Sequence, residues 1–126
     1  MRSLITTLLI LVIFVVGSFV TNKYIVNSCE KLLEDIELLS KLVKDNEWDN
    51  SKGQLKKLKE QWKDTKDVWQ LFLEHYEMDA IDISIARLDE YVEIEEQSLT
   101  LGEMAAFRLL ISHIKDKESL KLENIL

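Results

Sequence analysis

The sequence predicts an all-α protein in which an N-terminal transmembrane helix continues into an antiparallel, up-down bundle of three to four helices. The chain opens with an uncharged apolar run, and beyond it apolar residues recur at helical spacing. Its 126 residues include no proline and three glycines, so few residues interrupt long helices. We therefore divide the chain into an anchor, residues 1–22, and an acidic helical-bundle domain, residues 23–126.

The anchor is predicted from the uncharged run between Ser3 and Asn22, since about 20 apolar residues cross a bilayer as a helix. Lys23 and Tyr24 follow at once, and both residue types suit the lipid headgroup layer. A cleaved signal peptide is disfavoured because no cleavage site of small residues follows the run. The residues before Cys29 resemble a lipoprotein signal, but Lys23 separates that cysteine from the run. We expect an uncleaved anchor and keep both alternatives open.

The charges that flank the apolar run are nearly balanced, with Arg2 before it and Lys23 and Lys31 after it. The positive-inside rule therefore gives little preference for either orientation. A short N-terminus before an uncharged run commonly behaves as a signal anchor, which places the N-terminus in the cytoplasm. We expect a single-pass protein of the cell membrane whose acidic domain is extracytoplasmic.

The first helix of the bundle is predicted over residues 23–44, where the apolar residues share one face. This stripe consists of Ile25, Cys29, Leu32, Ile36, Leu39 and Val43. No helix-breaking residue separates the stripe from the anchor, so we expect one continuous helix. Amphipathic helices joined by short turns must cover one another's apolar faces, and an antiparallel four-helix bundle does this most simply. A three-helix core with the first helix partly free is the alternative.

Three further helices are predicted beyond the turn at residues 45–50. Capping boxes at Ser51–Gln54 and Thr100–Glu103 are predicted to open the second and the fourth helix. The second stripe is Leu55, Leu58, Trp62, Thr65, Trp69, Phe72 and Tyr76. The third is Met78, Ile81, Ile85, Leu88, Val92 and Leu99, interrupted at Glu95, and the fourth is Met104, Phe107, Ile111 and Ile114. A short apolar tail, residues 120–126, is expected to pack back on the bundle.

The charge of the chain restricts its partners. Beyond Arg2 the sequence has 15 basic and 23 acidic residues, a formal charge of −8. Such a surface repels nucleic acid and anionic lipid headgroups, since both are polyanions. We expect no nucleic-acid partner. The partners expected are the membrane, crossed once, and a membrane or envelope protein.

The chain lacks a recognisable catalytic or cofactor-binding motif, so we expect neither an enzyme nor a cofactor. His75 and Asp79 are one helical turn apart and can share a metal, but the di-iron signature needs a glutamate where Phe72 stands. The acidic segment at residues 93–96 offers oxygen ligands but lacks an EF-hand-like loop. We therefore predict a helix-end histidine and a solvated acidic face, and no metal site.

Trp48 lies in a predicted turn, an unusual place for a large aromatic side chain. It either folds over one end of the bundle or contacts a partner. The candidate partner contacts are Trp48, His75, Glu93 and Glu96. By contrast, Trp62 and Trp69 are expected in the core, and Cys29 is expected there as a small buried side chain.

Several short motifs match the pattern of a known family. Besides the short N-terminal span, they are Trp48, Trp62, Glu74-His75, Ile81-Asp82, Tyr91 and the ending Glu123-Asn124-Ile125-Leu126. With them the chain resembles an uncharacterised family of small bacterial membrane-anchored helical proteins, the domain of unknown function 4363. The resemblance implies an all-helical fold, an endospore-forming, Gram-positive-type host and action beside other membrane proteins, including a multi-span family encoded nearby. It implies no catalytic residues, because no activity is established for the family.

The leading hypothesis is a non-enzymatic, membrane-anchored accessory protein of the bacterial cell envelope that acts with another membrane protein. The resemblance extends this hypothesis to a sporulation-related role. The alternative is an extracytoplasmic helical bundle that senses a small molecule or a cation. A metal enzyme centred on His75 is the third hypothesis, and stoichiometric metal in the purified domain would support it.

Overall fold

The computed structural model describes residues 1–125, and every regular element within them is an α-helix. The four helices are α1 (Arg2–Lys44), α2 (Trp48–Trp69), α3 (His75–Glu93) and α4 (Gln97–Ile125). The predicted all-α bundle is therefore confirmed. The predicted apolar tail at residues 120–126 is part of α4 as far as Ile125, and Leu126 lies outside the described residues.

Helix α1 is uninterrupted over 43 residues, which corresponds to about 65 Å at the usual rise per residue. Residues 2–20, here called the apolar segment, are almost entirely exposed. Burial begins at Asn22, and all six residues of the predicted stripe between Ile25 and Val43 are buried. The prediction of one continuous helix is confirmed, since the same helix forms the apolar segment and one wall of the core.

The four helices close into a ring in which α1 and α3 each pack against α2 and α4. Among the described residues, the backbones of the diagonal pairs do not approach each other closely. The Gln97 side-chain amide donates to the carbonyl oxygens of Val43 (3.1 Å) and Lys44 (3.2 Å), so α4 begins beside the end of α1. Further along, Lys115 Nζ lies 3.6 Å from Glu30 Oε1. Helix α4 therefore runs antiparallel to α1 and returns toward the apolar segment, which makes α1 a full member of the bundle.

The α1–α2 and α3–α4 turns lie at one end of the ring, here called the apical end. In both turns one residue adopts a left-handed backbone, Asn46 with φ 56° and Glu95 with φ 57°. In the first turn the backbone amide of Glu47 donates a hydrogen bond to the carbonyl oxygen of Leu42 at 2.9 Å. In the second turn the amide of Glu96 donates to the carbonyl oxygen of Tyr91 at 3.0 Å. Glu95 is therefore a turn residue and not an interruption of a longer stripe. The predicted place of Leu99 on the third stripe is wrong, because Leu99 belongs to α4 and is exposed.

Both predicted capping boxes are wrong by about one turn. Helices α2 and α4 begin before them, so Ser51 and Thr100 lie inside helices and are buried. Their hydroxyls donate to the carbonyl oxygens of Glu47 (2.8 Å) and Glu96 (2.6 Å), four residues earlier. The Gln54 side chain donates instead to a backbone carbonyl of α1, at 3.1 Å. Both hydroxyls are thus hydrogen-bonded within their own helix. The sequence spacing of a capping box is the same whether the serine or threonine caps a helix or lies inside it.

The opposite, basal end holds the α2–α3 loop, residues 70–74, and the last turns of α4. Helix α2 ends at Trp69, so the predicted continuation of its stripe to Phe72 and Tyr76 is wrong. Both of these side chains are exposed, whereas Leu73 of the same loop is buried. An apolar loop tip is thus presented at this end of the bundle.

The second helical hairpin repeats the buried pattern of the first at a constant offset of 49 residues. The buried pairs are Ser28/Glu77, Cys29/Met78, Leu32/Ile81, Ile36/Ile85, Leu39/Leu88, Val43/Val92, Ser51/Thr100, Leu55/Met104, Leu58/Phe107, Trp62/Ile111, Thr65/Ile114 and Trp69/Glu118. The two hairpins therefore share one burial pattern at these positions. They differ at the basal end, where the second hairpin buries two glutamates, Glu77 and Glu118.

Candidate functional site

The outward face of α4 carries no charge over three turns. Its exposed residues between the first turn and the middle of the helix are Gly102, Ala105, Ala106, Leu109 and His113. The charged residues of the same stretch lie at the sides of the helix: Arg108 Nε donates to Glu37 of α1 at 2.6 Å, and Glu103 lies 3.9 Å from Arg87 of α3. Leu109 is left 72% exposed at the centre of this surface, here called the α4 face.

Helix α2 provides the contrast. Its outward-facing residues are almost all charged: Lys56, Lys57, Glu60, Lys63, Asp64 and Asp67. Charged side chains keep their hydration and resist burial, whereas small and apolar side chains permit close approach of another surface. In an acidic bundle, the α4 face is therefore the helical surface best suited to contact a protein.

A cleft of about 510 Å³ lies at the basal end, between α1, α4 and the α2–α3 loop. It is lined by Ile13, Phe14, Gly17, Ser18, Thr21, Asn22, Ile25, Phe72, Glu118 and Lys121. Glu118 is the buried charge at this cleft, with a side chain only 2% exposed, and Lys121 Nζ donates to its Oε1 at 3.0 Å. This basal cleft combines a largely apolar wall from α1 with one ion pair, in which Glu118 is buried and Lys121 is exposed.

A second buried carboxylate, Glu77, lies in the first turn of α3 and accepts a hydrogen bond from Lys117 of α4. Burial is the largest single effect and lowers the pKa of the Lys117 ammonium, but the hydrogen bond to Glu77 and the attraction of the Glu77 charge together raise this pKa above its ordinary value. The pair therefore stabilises the fold below the ordinary lysine pKa, and this contribution is lost only as the pH rises through the raised value. Among the described residues, Glu77 Oε2 and Trp69 Nε1 have no hydrogen-bond partner.

Cys29 is fully buried in α1, as predicted. Burial raises the pKa of its thiol to about 12, outweighing the nearby Lys115 ammonium. The thiolate is the reactive form of cysteine, so this residue is protonated and unreactive at neutral pH. The core position also leaves no space for a lipid on Cys29 in this fold.

The four predicted partner contacts lie at opposite ends of the bundle. Trp48 begins α2 and Glu93 and Glu96 flank the α3–α4 turn, so these three are apical. Trp48 is half-buried and packs against the core, which is the first of its two predicted alternatives. His75 is the first residue of α3, at the basal end, and is exposed. They do not form one surface, and their role as contacts stays a prediction.

Among residues 1–125, no group of three or more histidine, cysteine or acidic side chains is placed to hold a metal ion. The predicted core position of the two tryptophans is confirmed, since Trp62 and Trp69 are buried edge-to-face with ring centroids 5.5 Å apart. Trp62 Nε1 also donates to Asp82 of α3 at 2.7 Å. The sequence did not reveal this bond or the two buried glutamates; the offset of 49 residues from Trp69, a predicted core residue, is the one signal that pointed to Glu118 as a core position.

A family model described as "Domain of unknown function (DUF4363)" matches residues 19–125. The match begins at the end of the apolar segment and includes the rest of α1 and all of the other three helices. Neither the curated proteins nor the solved structures gave a match. By length and composition, α1 contains a candidate membrane span near the N-terminus, the one such helix found in the described part of the chain.

Proposed function

The chain belongs to the family described as a domain of unknown function (DUF4363), and within it we propose a non-enzymatic, membrane-anchored accessory protein of the bacterial cell envelope. Its bundle binds another membrane or envelope protein, with a sporulation-related role as the specific setting. The observation that carries this proposal is the α4 face, an uncharged exposed helical surface centred on Leu109 in an otherwise acidic bundle.

The anchor in this proposal is supported by the apolar segment. The most apolar stretch of this segment has no residue buried inside the bundle, so the segment contributes nothing to the core. Its threonine hydroxyls are satisfied within the helix, with Thr6 donating to Arg2 and Thr7 to Ser3, both at 2.8 Å. Internal satisfaction of polar groups is what a helix in hydrocarbon requires. We propose one span, with the N-terminus in the cytoplasm and the acidic bundle extracytoplasmic.

Protein binding is supported by the chemistry of the α4 face. A flat surface of glycine, alanine and leucine buries apolar area against a partner without removing charges from water. At the rim, Arg108 is held by Glu37 of α1 and, with its side chain 38% exposed, remains available for polar contacts. The face is accessible from the side of the bundle, so a neighbouring membrane-anchored domain can reach it.

Site-specific photo-crosslinking of the full-length protein in its native cell tests this proposal. A photoreactive amino acid replaces Leu109 on the α4 face or, as the matched control, Lys57 on the charged outer face of α2. We expect a reproducible crosslinked partner from position 109 and not from position 57, and loss of that partner in a Leu109→Glu variant. Equal products from both positions, or none from either, would contradict the proposal.

The basal cleft favours a second candidate, an extracytoplasmic bundle that senses a small molecule or a cation. A cleft with one buried carboxylate is the place where such a ligand would bind. Thermal unfolding of the full-length protein in detergent, with a panel of cations and metabolites, measures this directly. A ligand that raises the midpoint for the natural chain but not for Glu118→Gln supports sensing; no shift with any ligand would count against it.

A further inference from the structure

The α2–α3 loop exposes consecutive apolar side chains at its tip. Leu71 is 73% and Phe72 is 53% exposed, and Tyr76 in the first turn of α3 is 65% exposed. The connections at the apical end are mostly acidic or polar by comparison. Exposed loop tips in water are usually polar, so a Leu-Phe tip indicates that something apolar covers it.

The position of this loop along α1 identifies what covers it. Phe72 lines the basal cleft together with Ile13, Phe14 and Gly17 of the apolar segment. Gly17 lies five residues before Asn22, the end of the predicted span, which is about 7.5 Å along a helix. The cleft that Phe72 lines extends along α1 from Ile13 to Ile25, so it reaches below the level at which a span ending at Asn22 would leave the bilayer.

The last turns of α4 reach the same level. Leu120 is 59% exposed, and Lys121 lines the same cleft as Phe72. A leucine beside a lysine suits the boundary between acyl chains and headgroups, where the apolar side chain is buried and the ammonium stays hydrated. Tyr76 has the amphipathic ring that is enriched at this boundary.

We propose that the basal end of the bundle is a lipid-contact surface, with the Leu71-Phe72 tip inserted into the headgroup and upper acyl region of the bilayer that α1 spans. The proposal rests on the membrane anchor of the proposed function and is independent of any protein partner. The bundle is then held against the membrane at two places, by α1 and by this loop. The contact is apolar, so it forms with zwitterionic lipid in spite of the acidic charge of the bundle.

Depth-dependent quenching on the full-length protein in phosphatidylcholine nanodiscs tests the insertion. In a Cys29→Ala background, an environment-sensitive fluorophore is attached to Phe72→Cys, with Leu71→Cys as a second loop position. Ile10→Cys reports on the apolar segment, and Asn50→Cys reports on the apical end as the matched water-exposed control. Circular dichroism confirms that each labelled variant keeps its helix content.

We expect labels at positions 71 and 72 to be quenched by nitroxide lipids labelled near the headgroup. We also expect iodide in the water to quench them at least about fivefold less than the label at position 50, since an inserted tip is shielded from water. If both loop labels behave like position 50 while position 10 stays in lipid, the insertion is wrong and the anchor stands. If position 10 also behaves like position 50, the anchor of the proposed function fails together with the insertion.

Discussion

At the residue scale, Asp82 joins two helices through both oxygens of its carboxylate. Its Oδ1 accepts from the Trp62 indole at 2.7 Å, and its Oδ2 accepts from Lys66 Nζ at 2.6 Å. The hydrogen bond to Asp82 raises the pKa of Lys66, outweighing the opposing effect of burial. Trp62 is itself part of the core, so this bond fixes the orientation of a core side chain from the surface.

Replacing Asp82 by alanine is expected to lower the free energy of unfolding by about 1–2 kcal/mol, because the buried indole of Trp62 loses its acceptor. Urea unfolding followed by circular dichroism measures the change. Asp79→Ala is the control, since Asp79 is exposed less than one turn away on the same helix and should change stability by less than about 0.5 kcal/mol. Equal effects from the two variants would show that the bond to Trp62 contributes nothing.

A second residue-scale prediction concerns the buried pair of Glu77 and Lys117. Lys117→Met is expected to cost about 2–3 kcal/mol, because it leaves the Glu77 carboxylate buried without a cation. The double variant Glu77→Leu with Lys117→Met should recover most of this loss, since it removes the buried charge as well. Urea unfolding of the natural chain, the single variant and the double variant measures the three free energies of unfolding. A double variant as unstable as the single one would contradict the expectation.

The third residue-scale prediction is that Cys29 resists alkylation in the folded protein at pH 8 and reacts rapidly in concentrated urea. Its pKa of about 12 in the fold exceeds the ordinary value of 9.0. The unfolded chain loses this proton first, so the neutral thiol stabilises the fold below pH 9 and this contribution is lost as the pH rises toward 12. Mass spectrometry after timed alkylation measures the reaction, and equal rates in both conditions would show that the thiol is accessible.

At the element scale, the two apical turns have the same backbone but different residues at the left-handed position. Asn46 tolerates a positive φ because its short side chain bonds locally, whereas a glutamate at position 95 is strained. The ion pair of Glu95 with Lys52 is long, at 3.6 Å, and solvent-exposed, so it offsets little of the strain. The second turn is therefore held by the packing of α3 and α4 on either side of it.

Glu95→Gly is accordingly expected to raise the free energy of unfolding by about 0.5–1 kcal/mol, since glycine adopts this conformation without strain. Glu90→Gly, an exposed position inside α3, should instead lower it by about 1 kcal/mol. Thermal unfolding of the two variants and the natural chain measures whether each substitution raises or lowers the stability. A loss of stability in both would show that position 95 is not strained.

At the scale of the whole molecule, α1 connects the apolar segment to the core without a break. Burial in the bundle starts at Asn22 and Ile25, both upstream of Cys29. Removal of residues 1–28, as in lipoprotein maturation, would delete these core residues and open the basal cleft. Residues 22–28 therefore belong to the bundle, and cleavage immediately before Cys29 would remove part of the fold.

We expect that mass spectrometry of the protein extracted from membranes finds the N-terminal segment attached and Cys29 unmodified. The reason is that Cys29 is fully buried and its lipidation requires cleavage immediately before it. The extraction is compared with that of a variant carrying Cys29→Ser, which cannot be lipidated. A natural chain that begins at a lipid-modified Cys29, beside an unprocessed Cys29→Ser, would contradict the prediction.

Helix number, helix type and most of the core were predicted from the sequence, because apolar residues at steps of three and four define a buried face locally. The errors fell at helix ends. Ser51 and Thr100 match a capping pattern as well as a buried helical position, and Phe72 continues a stripe that the chain does not follow. The spacing of apolar residues does not predict where the backbone turns. At Glu95 the turn uses a left-handed conformation that glutamate rarely adopts, so the residue type gives no turn signal.

The sequence by itself determined the all-α class, the apolar segment, the acidic charge and the continuity of α1, since each depends on composition or local spacing. Only the tertiary structure decided the closed ring of four helices, the burial of Glu77 and Glu118, and the uncharged outward face of α4. It also placed Phe72 in the lining of one cleft with residues of the apolar segment. These features depend on which helix covers which face, and that is settled by packing between segments distant in the chain.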